Sequence, residues 1–167
     1  LPLLLDADAL NLLANDYQLL TMLPKGCIIT PHLGEMQRLC RALELPSDTP
    51  KALAESSAII ACELEIFVVL KSHQTQIFAP DVLHFINRDQ GNSGMATAGS
   101  GDVLAGLIGG LLAQGYTPLD AAQLGVYLHA TAGDAAAKVM GEHSLLASDL
   151  IDALPQAFRT LQNDQRS

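Results

Sequence analysis

Aromatic side chains are scarce in this sequence. They make up 4% of its 167 residues, and tryptophan is absent. Aliphatic side chains must therefore build the interior, because hydrophobic residues still account for 49% of the chain and charged residues for only 16%. This composition supplies a sizeable core and differs from that of disordered chains. The length suits one domain.

Basic residues are also few. Nine Lys and Arg stand against 18 Asp and Glu, which gives a net charge of −9. Proteins that bind nucleic acid or anionic membranes need a basic surface, so we expect neither as a partner. A nucleotide ligand is compatible with this charge, since a few backbone N–H groups and one lysine can form a local positive site.

Cysteine clusters and long apolar runs are missing as well. Cys27, Cys40 and Cys62 lie far apart without the spacing of a zinc site, so we expect reduced, packed thiols in a cytosolic protein. The apolar runs are shorter than a membrane span, and the leucines at the start are too few for a signal peptide. The chain opens without Met, inside what reads as a buried strand, and we expect an N-terminal part of the natural protein to be absent.

Short apolar runs alternate with amphipathic stretches along the chain. Residues 3–5, 27–30 and 66–70 have the continuous apolar character of buried parallel strands. Residues 75–79 and 83–87 alternate instead, which predicts an antiparallel hairpin at a sheet edge. With helices between the strands, the pattern predicts an α/β sandwich that has a mostly parallel sheet.

Polar residues follow each predicted parallel strand. Asp6 and Asp8 follow the first strand, His32 and Glu35 the second, and Lys71 the third. The carboxyl ends of parallel strands meet at one edge, where open α/β sheets bind ligands. Local structure explains most of these residues too: Asp6 and Asp8 as helix caps, His32 as a capping histidine, and Glu35 as a first-turn acid. Spacing alone favours these structural roles, whereas Lys71 suits either solvent exposure or a phosphate contact.

The loop at residues 91–102 is rich in small residues and runs into an apolar helix predicted over 102–114. Glycines let the backbone approach a ligand, and the N–H groups at a helix start favour an anion such as phosphate. The loop matches neither the P-loop nor the Rossmann fingerprint. Asp102 stands at the junction, where a carboxylate would repel an anion but could act as the general base in phosphoryl transfer. Such transfer also needs a divalent metal, and Glu35 is the candidate to organise it through water.

The last third of the chain is helical in pattern. Three glycines of the 102–114 helix, at positions 106, 109 and 110, lower helix propensity, and we expect them to allow close packing against a neighbouring helix. Thr117 is predicted to cap the next helix, over 119–139, in which His129 reads as an ordinary helix histidine. Ser148 is predicted to cap the last helix.

Three motifs in order resemble those of the ADP/ATP-dependent NAD(P)H-hydrate dehydratases. They are GNSGMATAGSGDVLAG at 91–106, LDADALN at 5–11 and TPHLGE at 30–35. The resemblance covers essentially the whole chain. It departs at Ser93, Ala98 and Ser100, where the family usually has Pro, Gly and Thr. All three residues are small, and Ser100 keeps a hydroxyl, so an anion hole should survive.

The resemblance implies a ribokinase-like three-layer α/β/α sandwich, of which residues 1–167 form the C-terminal part of a single domain. It also implies a reaction: NADH or NADPH hydrated on its nicotinamide ring is phosphorylated on the new hydroxyl by ADP or ATP, and loss of phosphate restores the ring. The implied site has Asp102 as catalytic base and substrate contact, with His32 as a second substrate contact and Glu35 placing Mg²⁺ through water. The implied adenine-nucleotide contacts are Lys71, Ser72, His73, Gln74, Thr75 and Gly101, and the implied anion hole is Gly99, Ser100 and Gly101.

The resemblance further implies a cytoplasmic homo-oligomer, a tetramer or larger, which in some relatives is fused to an epimerase domain. Two alternatives stay open. One is another ribokinase-like enzyme, a small-molecule kinase of the thiamine-precursor type, which shares the anion hole and the Asp. The other is a non-catalytic nucleotide-binding fragment.

Overall fold

A five-stranded mixed sheet forms the centre of the computed structural model, which describes residues 2–81 and 84–164. The strands are β1 (Leu4–Leu5), β2 (Ile28–Ile29), β3 (Phe67–Leu70), β4 (Gln76–Phe78) and β5 (His84–Ile86), and they lie in sequence order. The first three run parallel, and β3, β4 and β5 pair antiparallel. The predicted parallel strands and edge hairpin are therefore confirmed, except that Leu83 of the predicted hairpin lies outside the described residues.

The parallel register brings the ends of β1, β2 and β3 to one edge. Leu4 pairs with Ile28, and Ile28 pairs with Phe67. A further parallel bridge joins His32 to Lys71 just beyond the strands. Residues that follow the three strands are therefore brought together at this edge, as open α/β sheets require.

Seven helices cover the sheet within the described ranges. They are α1 (Asp8–Asn15), α2 (Tyr17–Thr21), α3 (Leu33–Ala42), α4 (Pro50–Glu63), α5 (Ser100–Ala113), α6 (Pro118–Met140) and α7 (Ala147–Asp164). Two short 3₁₀ turns lie at Ser93–Met95 and Glu142–Ser144.

The two faces of the sheet carry separate apolar cores. On one face, Ile29 and Val68 pack with side chains of α1, α3 and α4. On the other face, Ile28 and Val69 pack with α5 and α6. Adjacent strand residues thus point to opposite faces, each covered by helices, which gives the predicted three-layer sandwich.

Two predicted helix caps are wrong. The helix expected to begin at residue 9 begins at Asp8, and Ala7 stands at its N-cap with φ 51°. Asp8 therefore lies in the first turn, where the helix dipole favours an acid, and its Oδ1 accepts a hydrogen bond from Asn11.

The last helix begins at Ala147, so the predicted cap Ser148 lies inside it. The Asp149 carboxylate accepts from the Leu146 N–H instead. By contrast, Thr117 caps α6 as predicted, accepting from the Asp120 N–H.

The glycines of α5 do not serve the close packing expected of them. Within the part of the chain that the structure describes, a Cβ added at Gly106, Gly109 or Gly110 would meet no atom within 4 Å. The tight contact of α5 with α6 comes from α6, where a Cβ at Gly125 would lie 2.5 Å from Ile108 Cγ1.

The cysteines differ from one another in burial. Cys27 and Cys40 are buried, and burial raises the pKa of the Cys27 thiol to about 11. Cys62, expected to be packed, is exposed near the end of α4. Among residues 2–81 and 84–164, no helix is both long and apolar enough to cross a membrane.

Candidate active site

An ion pair joins the ends of β1 and β3. Lys71 Nζ lies 2.6 Å from Asp6 Oδ1, and the two side chains are only 19% and 12% exposed. A carboxylate this buried needs a partner, since an unpaired charge is costly to remove from water. Asp6 is therefore not a helix cap, the role that spacing alone favours, but the residue that holds the Lys71 ammonium at the sheet edge.

The N-terminus of α3, directly after β2, is closed by its own side chains. His32 Nδ1 accepts hydrogen bonds from the N–H groups of Gly34 and Glu35, at 3.0 and 3.3 Å. Glu35 Oε2 in turn accepts from the His32 N–H at 2.7 Å, which completes a capping box. Because Nδ1 accepts, the imidazole carries its proton on Nε2, which lies 3.4 Å from Glu35 Oε1. The structural roles that spacing favoured for both residues are therefore present.

The N-terminus of α5 is open by comparison. Gly99 stands at its N-cap with φ 85°, a conformation that favours glycine. The Ser100 N–H bonds to the Thr97 carbonyl, and the Val103 N–H bonds to the Gly99 carbonyl. Between them, the N–H groups of Gly101 and Asp102 meet no acceptor from residues 2–81 or 84–164. Two unpaired amides at the positive end of a helix dipole form a site that suits an anion.

Lys71 adds a cation to this open end. A Cβ built on Gly101 would lie 3.3 Å from Lys71 Nζ. The missing side chain therefore makes room for the ammonium beside the first turn of α5. The charge lies beside the free Gly101 amide, where it favours an anion. Of the predicted anion hole of Gly99, Ser100 and Gly101, the Ser100 N–H is already bonded to the Thr97 carbonyl.

The first part of the glycine-rich motif serves as a scaffold. The Asp134 carboxylate on α6 accepts from the Gly91 N–H at 2.9 Å and from Asn92 Nδ2 at 3.0 Å. Asn92 Oδ1 then accepts from the Gly94 N–H. Ser93, one of the departures from the family pattern, donates its hydroxyl hydrogen bond to Glu142 Oε2 at 2.5 Å.

The glycines and the methionine of the motif are held by close packing. A Cβ on Gly94 would overlap with the backbone of Glu142, and a Cβ on Gly133 would overlap with Met95. The loop is thus fastened to α6 and the following turn along most of its length. This fastening gives Gly91, Asn92, Gly94 and Met95 a structural role in holding the loop.

A cavity of about 610 Å³ lies between the open helix end and the turn after β3. Its lining brings together most of the predicted site: His32, Lys71, Ser72, His73, Thr75, Ser100 and Gly101. Gln74 is exposed on the same turn but does not line the cavity, and neither do Gly99 and Glu35. Volumes of this order suit a small organic ligand such as a nucleotide.

Asp102 is in the first turn of α5 but faces away from this cavity. It is exposed and lines a second cavity of about 450 Å³, whose walls come from α5 and α7 and include Leu107, Ile151 and Phe158. The first turn of α5 therefore separates the predicted base from the cavity of Lys71 and His32. Such a position suits a base that approaches a transferring phosphoryl group from the acceptor side.

His129 of α6 is a cavity residue that sequence reasoning missed. Its Nε2 lies 2.9 Å from the Ser100 carbonyl oxygen and 3.2 Å from Ser100 Oγ. Burial, with a smaller effect of the Lys71 charge, lowers the pKa of His129 to about 4, although the hydrogen bond to Ser100 opposes the shift. Asp134 was missed as well, and so was the partner of Asp6, because each of these carboxylates contacts a residue more than 40 positions away.

The side chains at this site fit Mg²⁺ only if a bound nucleotide supplies most of the oxygen atoms that coordinate the ion. Among the described residues, no three His, Cys, Asp or Glu side chains converge as metal ligands would. Glu35 is buried, with both carboxylate oxygens against His32, so its position does not suit direct coordination of a metal in the cavity. Mg²⁺ commonly keeps several waters and takes the rest of its oxygens from substrate phosphates.

The three-layer fold, with polar residues gathered at one edge of its sheet, is ribokinase-like. The chain belongs to the NAD(P)H-hydrate dehydratase family, whose model matches residues 1–156.

Two curated relatives support this assignment. The chain is 46% identical over 165 residues to the bifunctional NAD(P)H-hydrate repair enzyme Nnr of Moorella thermoacetica, covering 98% of this chain and 30% of that protein. It is 40% identical over 168 residues to the ADP-dependent (S)-NAD(P)H-hydrate dehydratase of Neisseria meningitidis, covering 97% of this chain and 53% of that protein. The chain thus spans about half the length of the second relative and less than a third of the first.

A solved structure agrees with both relatives. It is the ADP/ATP-dependent NAD(P)H-hydrate dehydratase of Bacillus subtilis, co-crystallised with ATP and Mg²⁺. The match has a TM-score of 0.80 at 34% identity and covers 95% of this chain and 55% of that chain.

Proposed function

We propose that this protein repairs hydrated NADH and NADPH, using ADP or ATP to phosphorylate the ring hydroxyl and releasing phosphate to restore the dinucleotide. The observation that carries the proposal is the open N-terminus of α5, which meets Lys71 in a 610 Å³ cavity. The family of the chain and the names of its relatives agree with this chemistry.

Phosphoryl transfer places its charge on the transferring group, so the binding site must stabilise negative oxygens. The N–H groups of Gly101 and Asp102 are unpaired among the described residues and lie at the positive end of α5. Lys71 lies beside them, already held by Asp6. These groups would bind the terminal phosphate of ADP or ATP, while the turn from Lys71 to Thr75 would contact the rest of the nucleotide.

Asp102 is the proposed general base. It would take the proton from the ring hydroxyl as the hydroxyl oxygen attacks phosphorus, and the shortened nucleotide would leave with the electrons of the broken P–O bond. The C–O bond of the phosphorylated ring would then break, with phosphate taking the bonding pair and the neighbouring carbon losing a proton to form the C=C bond. The position of Asp102 across the first turn from the cavity supports this division into a nucleotide side and an acceptor side.

In addition to forming the capping box, His32 is proposed to contact the substrate and Glu35 to place Mg²⁺ through water. His32 lines the cavity with its side chain 54% exposed. Its contact with the hydrated dinucleotide would require that substrate to extend across the first turn of α5 from Asp102. A Mg²⁺ ion bound with the nucleotide would neutralise phosphate charge, and Glu35 would reach it only through water.

Several further features are proposals of the same kind. They are a cytoplasmic homo-oligomer of four or more subunits, residues 1–167 as the C-terminal part of one ribokinase-like domain, and an epimerase domain on the same polypeptide. The bifunctional name of the Moorella relative favours an additional catalytic domain there.

The decisive experiment incubates the purified full-length protein with NADH hydrate or NADPH hydrate and with ADP or ATP. We expect recovery of absorbance at 340 nm only when hydrate, nucleotide and Mg²⁺ are all present. Phosphorylation of hydroxymethylpyrimidine or hydroxyethylthiazole instead would favour the thiamine-precursor kinase. Nucleotide binding without any turnover would favour a non-catalytic role.

A further inference from the structure

His129 contacts the same short stretch of backbone that forms the proposed anion hole. Its Nε2 lies 2.9 Å from the Ser100 carbonyl oxygen and its ring lines the cavity. We propose that His129 is a positioning residue that orients the Gly101 amide toward a bound phosphate. This inference rests on the proposed function only in taking that phosphate to belong to ADP or ATP.

The direction of the hydrogen bond follows from its acceptor. A carbonyl oxygen can only accept, so Nε2 must carry the proton and donate to Ser100. The ring is neutral near pH 7, because burial and the nearby Lys71 charge disfavour its protonation. His129 is therefore a neutral donor of fixed tautomer, with Nδ1 left as an acceptor.

The planar peptide unit links the His129 contact to the direction of the Gly101 amide. The Ser100 carbonyl and the Gly101 N–H belong to one planar peptide unit, in which they point in opposite directions. Holding the carbonyl on the α6 side therefore directs the Gly101 N–H away from α6. That N–H has no acceptor from the described residues, and Lys71 Nζ lies beside Gly101.

The first turn of α5 needs such an external anchor. Gly99 offers no side chain to cap it, and an uncapped first turn frays readily. A capping side chain would occupy the amides that the phosphate needs. Anchoring the carbonyl from a second helix holds the turn and leaves the amides open.

The test compares His129→Leu, which removes the donor, with His129→Gln, which keeps an N–H donor of similar reach. Calorimetric titration measures the binding of ADP and of adenosine to each folded variant. For His129→Leu we expect ADP affinity to fall about tenfold and adenosine affinity to change less than twofold, since only ADP uses the amide. His129→Gln should recover ADP affinity to within about threefold of the wild type.

Three results would overturn the proposal: unchanged ADP affinity in His129→Leu, equal losses for ADP and adenosine, or no recovery in His129→Gln. Should His129→Leu fail to fold, ¹⁵N NMR of the wild-type imidazole decides, because the proposal requires the Nε2–H tautomer and the Nδ1–H tautomer contradicts it. None of these measurements involves dehydration. Failure of the repair activity and failure of this inference are therefore seen separately.

Discussion

The N-termini of α3 and α5 face the same cavity but have opposite hydrogen-bonding states. At α3, His32 and Glu35 satisfy each other's backbone through a capping box. At α5, Gly99 provides no cap, and the amides of Gly101 and Asp102 stay without an acceptor among the described residues. One helix start stabilises itself, and the other is left available to a ligand.

The difference shows how an open helix end can be kept in place. The residues that hold α5 come from elsewhere in the chain: Asp134 fastens the preceding loop, His129 holds the Ser100 carbonyl, and Asp6 holds Lys71. An anion site on a helix start therefore depends on supporting residues that leave the amides free.

Replacing Asp102 with Asn should lower the dehydration rate more than any other change described below. If Asp102 is the proposed general base, loss of its carboxylate should lower the dehydration rate by about 10²- to 10⁴-fold, the usual contribution of such a base. Binding of ADP or ATP, measured by calorimetry, should persist, since the amides and Lys71 are untouched. Near wild-type recovery of NADH from its hydrate would exclude Asp102 as the base.

The lowered pKa of the partly buried His129 predicts a pH effect on stability. Its pKa is about 4 in the folded protein and about 6.5 when unfolded, so the unfolded chain takes up the proton first as the pH falls. The free energy of unfolding should therefore decrease between pH 6.5 and pH 4, by roughly 3 kcal/mol from this group alone.

Carboxylates also titrate in this range, so the measurement is the difference between the wild type and His129→Gln. Urea unfolding at several pH values should show a steeper loss of stability in the wild type. Parallel pH profiles for the two proteins would show that His129 titrates normally.

Replacing Lys71 with Met should weaken nucleotide binding while leaving the α3 end intact. The change removes the cation beside Gly101 and leaves the Asp6 carboxylate buried without its partner. We expect ADP affinity to fall about 10- to 100-fold, consistent with the loss of a charged hydrogen bond.

The double variant with Asp6→Asn separates the two consequences of the Lys71 change. It should restore much of the lost thermal stability, because no buried charge is then unpaired, but it should not restore ADP affinity. Recovery of ADP affinity in the double variant would show that Lys71 acts only as a structural partner of Asp6.

The smallest effect is expected at the closed helix end. His32→Ala removes the acceptor for two amides of α3 and should lower the free energy of unfolding by about 1 kcal/mol, as loss of an N-cap does. Glu35→Gln should retain stability, since Gln also completes a capping box.

Glu35→Gln therefore also tests the predicted metal role. A stable variant with a raised requirement for Mg²⁺ in the dehydration assay would support water-mediated binding of the ion. A stable variant with an unchanged Mg²⁺ dependence would limit Glu35 to the capping box.

Much of the fold was predictable because apolar runs determine strands and their faces. The three parallel strands, the hairpin and the cap at Thr117 were read from local pattern alone and are confirmed. The caps at Asp8 and Ser148 were misplaced by one residue or more, because several polar side chains near a helix start can each serve as cap or first-turn acid.

The site was predictable to a lesser degree. The motifs marked the open turn and its neighbours, and the structure brings His32, Lys71, Ser100 and Gly101 to one cavity. Spacing did not reveal that the first glycines of the motif act as a scaffold. Nor did it show that Asp102 lines a different cavity from Lys71.

The sequence by itself determined the α/β layering, the strand ends that carry polar residues, and the glycine-rich loop that leads into α5. These features follow from local chemistry: apolar periodicity, the position of each polar residue after a strand, and the run of small residues before the helix. The helix start, predicted at Asp102, lies instead at Ser100, with Gly99 as an N-cap that has no side chain. Only the tertiary structure decided how that start is supported. Asp6 meets Lys71 and His129 meets Ser100 across 65 and 29 residues of chain, and contacts of such separation depend on packing rather than on any local pattern.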